Sequence, residues 1–87
     1  AEACAMGFAT ETSEDPLARA MSLAEEIAGK NPEAVRAAKR LSNQLADSTD
    51  ERLLLSESEE QTRIIGKANQ MEAVMAFMEG RAPSFSD

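Results

Sequence analysis

Residues 15–46 read D-P-L-A-R-A-M-S-L-A-E-E-I-A-G-K-N-P-E-A-V-R-A-A-K-R-L-S-N-Q-L-A, and their punctuation decides the fold. Asp15 supplies an N-cap acceptor and Pro16 stands at the first helical position, where a missing N–H costs nothing. The pair predicts a helix running to Ala28 and stopped by Gly29. Asn31-Pro32 repeats the signal and predicts a second helix to about Ala46, joined to the first by a tight corner. Leu17, Ala20, Met21, Ala24, Ile27 and Ala28 recur at spacings of three and four, as do Val35, Ala38, Leu41 and Leu45. Each helix is therefore expected to turn one apolar face inward.

Further along, Ser48-Thr49-Asp50-Glu51 fits a capping box, with the Ser48 hydroxyl meeting a free N–H and Glu51 reaching back to the cap. A third helix is expected to run from it to Ile65, closed by Gly66. Its face of Leu53, Leu54, Gln61, Ile64 and Ile65 is interrupted by the polar run Ser56 to Glu60, which implies exposed middle turns or a wet interface. Asn69-Gln70-Met71-Glu72 has the same box form and predicts a last helix through Glu79, with Val74, Met75, Phe77 and Met78 apolar and Gly80 as the stop. Residues 82–87 read as an extended tail. At the other end, Ala1 to Met6 looks like the final turn of a helix closed by Gly7. Phe8 to Thr12 leans toward a short strand with no partner in this chain. The expected architecture is all-α, four helices over residues 15–87 behind a short extended stretch in residues 1–14.

Composition narrows the function. A chain of 87 residues forms one small domain at most, burying only about 60 to 65% of the surface its unfolded chain exposes. Three Phe and no Trp or Tyr leave a thin core built from Ala, Leu, Ile and Met. Sixteen acidic against nine basic residues give a net charge of −7, which opposes the phosphate neutralisation that nucleic-acid binding needs. The one basic stretch, Glu33 with Arg36, Lys39 and Arg40, reads first as a solvated or internally matched helix face and second as an anion site. No apolar run approaches the roughly 20 residues of a membrane span. A lone Cys4 permits no internal disulfide and suggests a reducing compartment, so a cytoplasmic location is expected. The start at Ala1 suggests a processed or truncated product.

Catalytic chemistry is hard to place. The chain has no His, the commonest general base and metal ligand near neutral pH. Glu57, Glu59 and Glu60 are dense but lie on one helix with no visible means of raising a pKa. Cys4 falls near a helix C-terminus, where the dipole disfavours a thiolate. Gly29-Lys30 lacks the rest of a phosphate-binding loop, and no calcium-loop pattern occurs. The methionines read as packing residues before they read as a ligand groove. No catalytic residue and no metal ligand is assigned.

Three segments in order resemble the C-terminal part of the crotonase family of enoyl-CoA hydratases and isomerases. Ala3 to Thr10, A-C-A-M-G-F-A-T, is similar to the family's A-x-x-x-G-L-V-T segment. Leu23 to Asn43 is similar to its helix, Asn or Ser-Pro, and A-V-x-x-x-K run. Asn69, Glu72, Ala73, Ala76, Phe77, Glu79, Arg81, Pro83 and Phe85 fit its closing D-x-x-E-G-x-x-A-F-x-E-K-R-x-P-x-F pattern.

The resemblance implies that residues 1–14 end a crotonase-like core and that residues 15–87 are its helical, trimerisation-type C-terminal domain. It further implies a homo-oligomer, trimer or hexamer, acting on acyl-CoA in fatty acid metabolism, with no covalently bound cofactor. The oxyanion hole and the acid–base residues of such an enzyme lie upstream of the matching segments, so the 87 residues alone are expected to be inactive. Phe77 occupies the position that packs near the CoA adenine, its other reading being helix core. Gly80 stands where the family has Lys, which leaves Arg81 as the nearest cation for a CoA phosphate. The alternative is a freestanding acidic helical carrier or interaction module. Asp47-Ser48-Thr49-Asp50 resembles the D-S-L attachment site of acyl carrier proteins, except that Thr49 replaces the apolar residue.

Overall fold

The computed structural model describes residues 1–87 as five α-helices without a β-strand. They are α1 (Glu2–Ala5), α2 (Pro16–Ala28), α3 (Pro32–Gln44), α4 (Asp50–Ile64) and α5 (Ala68–Glu79). The proline signals act as expected. The Asp15 carboxylate accepts from Ala18 N at 3.0 Å, and Asn31 Oδ1 accepts from Glu33 N at 3.0 Å. The end of α1 also follows the reading. Gly7 takes φ +81°, and Gly7 N and Phe8 N donate to Cys4 O and Ala3 O, which closes the turn with the paired bonds of a Schellman motif.

Both expected capping boxes are displaced. Thr49 caps α4, its hydroxyl accepting from Arg52 N at 3.3 Å. That shift of one residue puts Arg52 at the third helical position, and a guanidinium has no acceptor to offer the cap, so Glu51 plays no reciprocal part. Helix α5 begins after Lys67, which places Asn69 inside the helix instead of at its cap. The expected strand at residues 8–12 does not form. With no neighbouring strand to pair its backbone, Phe8 is left exposed in irregular chain.

The largest departure is in packing. Only Ala37, Glu60, Asn69 and Ala76 are buried. The face of α2 expected to turn inward is open along its length, with Leu17, Met21 and Ile27 all exposed. In α3, Val35 and Leu41 are half-buried and Ala37 is buried, while Ala38 and Leu45 face solvent. The inner face of α4 is Leu53, Ser56, Glu60 and Ile64, so the polar run joins the contact instead of interrupting it, and Leu54 is exposed.

The whole chain is correspondingly open. Its accessible surface is 7108 Å², against about 5,000 Å² for a compact monomer of this mass. Its radius of gyration is 16.3 Å, against about 12 Å for a compact domain of this length. The helices form because their caps and residue choices are local. They do not collapse, because small side chains on narrow faces leave too little area to hold five short helices together.

Candidate functional site

Helices α3 and α4 are the most closely packed pair, and a charge pair lies at their contact. Glu60 is only 8% exposed, and it takes a two-pronged bond from Arg40, with both N–O distances 2.7 Å. Arg63 approaches the same carboxylate at 3.6 Å. The Arg40 hydrogen bond holds the Glu60 carboxyl below the usual carboxylate range, against the opposing effect of desolvation. Arg36, the other expected anion contact, meets Asp87 at 3.2 Å. Arg36 and Arg40 are thus matched within the chain, while Lys39 is exposed and without an ion-pair partner. The carboxylate trio is divided: Glu60 is a structural partner while Glu57 and Glu59 face solvent.

Phe77 and Arg81, singled out by the sequence resemblance alone, lie on one open groove of about 280 Å³ between the α2–α3 corner and the end of α5. Phe77 is 88% exposed, which removes its reading as helix core. Arg81 sits beside it with its guanidinium already engaged. Its Nη1 and Nη2 donate to Glu72 and its Nε donates to Glu79. Hydrogen bonds that Arg81 donates to Glu72 and Glu79 raise its pKa, and the Arg81 side chain together with Ser84 N lowers that of Glu72 to about 2. A cation shared by two carboxylates carries little net field toward a phosphate. Lys30, on the opposite wall, has no carboxylate at ion-pair distance and is the unmatched cation of the groove.

Tail residues Pro83 and Phe85 supply the rest of that wall, and their position depends on α5. Asn69, Glu72, Ala73 and Ala76 stand at i, i+3, i+4 and i+7 and form a single stripe. The tail lies antiparallel along it. Asn69 Nδ2 donates to Ser86 O at 2.6 Å, Ser86 N donates back to Asn69 Oδ1 at 2.9 Å, and Ser84 N donates to Glu72 Oε1 at 2.9 Å. The residues read as a capping box are therefore the anchors of the C-terminal tail.

Cys4 is half-buried in the last turn of α1, and Ser48 is half-buried just before the cap of α4. No group of three or more Cys, Asp or Glu side chains is placed to hold a metal ion. No helix is long and apolar enough to cross a membrane. Compared with models of known protein families and with curated proteins, the chain matches none.

Proposed function

We propose that this chain is an assembly segment, the helical C-terminal part of a crotonase-like acyl-CoA enzyme, whose work is to cover and join subunits and not to carry out chemistry. The observation that carries the reading is the missing core: only two apolar residues, Ala37 and Ala76, are buried, while α2 and α5 expose amphipathic faces that include Leu17, Met21, Ile27, Met75 and Met78. The surface beyond that of a compact monomer is about 2,000 Å² per chain, and obligate interfaces bury about 2,000 to 5,000 Å² in total. Exposed apolar faces on an acidic chain are suited to a protein partner and poorly suited to nucleic acid or an anionic membrane.

The partner is a further copy of the same enzyme, in a trimer or hexamer located in the cytoplasm, and the substrate class is acyl-CoA. The exposed ring of Phe77 supports a stacking contact with the adenine, and Lys30 replaces Arg81 as the cation facing a phosphate. A freestanding carrier fits the shape less well, since a carrier domain shields its attached chain within a compact bundle and this chain has no enclosed interior.

Sedimentation of the chain together with a calorimetric titration of CoA tests the proposal. Reversible association and a binding isotherm that weakens in Phe77→Ala are expected. A strictly monomeric chain that ignores CoA overturns it.

A further inference from the structure

Leu45 and Ile65 carry the apolar periodicity of α3 and α4, yet they are 66% and 65% exposed, at opposite ends of that helix pair. Leu45 stands at the loop end, where it lines an open cavity of about 240 Å³ with Leu41, Ser42, Leu53 and Glu57. The cavity has three leucines in its lining and one carboxylate on its wall. Glu57 is exposed and has no cation at ion-pair distance.

Ile65 stands at the other end, just past the last turn of α4, on a turn that hydrogen bonds hold in place. Gly66 takes φ +78°, its N–H donates to Gln70 Oε1 at 3.2 Å, and Lys67 N donates to Ile64 O at 3.1 Å. The turn therefore presents Ile65 as a fixed apolar knob with an exposed cation, Lys67, two residues away. Lys67 has no carboxylate at ion-pair distance in the chain. Knob and cavity are thus both aliphatic and carry opposite unmatched charges at their rims, the combination that sets register between two surfaces. They cannot meet within one copy, because Leu53 and Ile65 lie along one continuous helix, about 18 Å apart on its axis.

We propose that Ile65 and Lys67 of one copy dock in the Leu41–Leu45–Leu53 cavity of a second copy, with the Lys67 ammonium on the Glu57 carboxylate. The inference rests on the reading that the chain associates with its own kind, and it gives that association a register that the broad faces of α2 and α5 alone do not set. Both surfaces are open in the single chain, so docking displaces no contact and moves no segment. The giving and the receiving surface differ, so each copy passes its knob to the next. A contact of this kind closes as a ring, the form that a trimer takes.

Sedimentation equilibrium of charge variants tests the pairing. Glu57→Lys makes the chain less acidic and relieves the general repulsion between copies, whereas Lys67→Glu increases it. A pair across the contact requires both to weaken association, by about threefold or more, and requires the double variant, with the net charge of the unaltered chain, to recover it. Weaker association in Lys67→Glu with stronger association in Glu57→Lys would reflect net charge alone and overturns the pairing.

A complementation arm tests the knob and the cavity by mass, with helical circular dichroism checked against the unaltered chain. Ile65→Asp removes the knob and Leu45→Asp spoils the cavity, and each is expected to weaken self-association about tenfold or more. An equimolar mixture of the two is expected to form a one-to-one dimer by native mass spectrometry, since one intact knob then meets one intact cavity. A mixture that stays monomeric overturns the contact. Full association by both variants also overturns it, assigns the cavity to a different partner and leaves the assembly reading intact. An unaltered chain that is monomeric overturns both.

Discussion

Asn69 and Ser86, 17 positions apart, are joined by two hydrogen bonds of 2.6 and 2.9 Å that use both ends of one buried side-chain amide. This pair and the Glu72–Ser84 bond hold the tail against α5, and the tail in turn touches α3 through the Asp87–Arg36 pair. In a chain with almost no apolar core, such polar ties set how α5 sits against the α2–α3 corner.

Asn69→Ala should release the tail. Removing one partner from a buried hydrogen-bonded pair costs about 1 to 3 kcal/mol. Amide hydrogen exchange at Ser84 and Ser86 is expected to approach the rate of unprotected chain, while amides in the middle of α4 stay protected. Unchanged protection at Ser86 would remove Asn69 from its role as anchor.

Acid should release the same tail by a second route. The Glu72 carboxyl titrates at about 2 in the folded chain against an ordinary 4.5, so its ionised form is favoured by folding. The stabilisation is complete above about pH 4.5 and is lost as pH falls toward 2. The Ser84 amide shift, followed by NMR between these limits, should move with a midpoint near the lower value. Glu72→Gln should flatten that transition, since the amide does not titrate there.

The Arg40–Glu60 contact, buried on the Glu60 side and open on the Arg40 side, should behave as a half-buried pair. Arg40→Met leaves the Glu60 carboxylate unpaired at the α3–α4 contact and lowers the thermal midpoint. Replacing both residues, Arg40→Met with Glu60→Leu, should recover much of the loss, because an apolar pair needs no compensating charge. A double variant no more stable than the single would show that the pair contributes through geometry the apolar residues cannot supply.

The open faces give a fourth test. Met21 and Met75 are exposed in the single chain, so a glutamate at either position should leave helical circular dichroism unchanged. It should weaken self-association about tenfold or more, since a carboxylate is costly in an apolar contact. Sedimentation equilibrium reads the effect, and full association by both variants would place the interface elsewhere.

Ser48 provides a check on the carrier alternative. It lies outside the cap of α4, which Thr49 supplies, so no capping bond occupies its hydroxyl. Incubation with a phosphopantetheinyl transferase and CoA should leave the chain mass unchanged. A gain matching one phosphopantetheine group would restore the carrier reading.

The sequence by itself determined where α2 and α3 start and where α1 and α5 stop, but not the first turns of α4 and α5. Caps, N1 prolines and closing glycines act within one turn of chain, so Asp15, Asn31, Gly7 and Gly80 do their work whatever lies elsewhere. Phe77 and Arg81 entered through the crotonase resemblance and not through spacing, and the structure places both on one groove. Tertiary structure alone decided which groups those residues meet. Periodicity can mark an apolar face on α2, but a face is buried only if something covers it, and this chain supplies no cover. Asn69 and Glu72 have the spacing of a capping box, yet the tail competes for the same oxygens with backbone N–H groups that have no other partner. The long-range contact satisfies both ends of the buried Asn69 amide, which would otherwise lie unpaired.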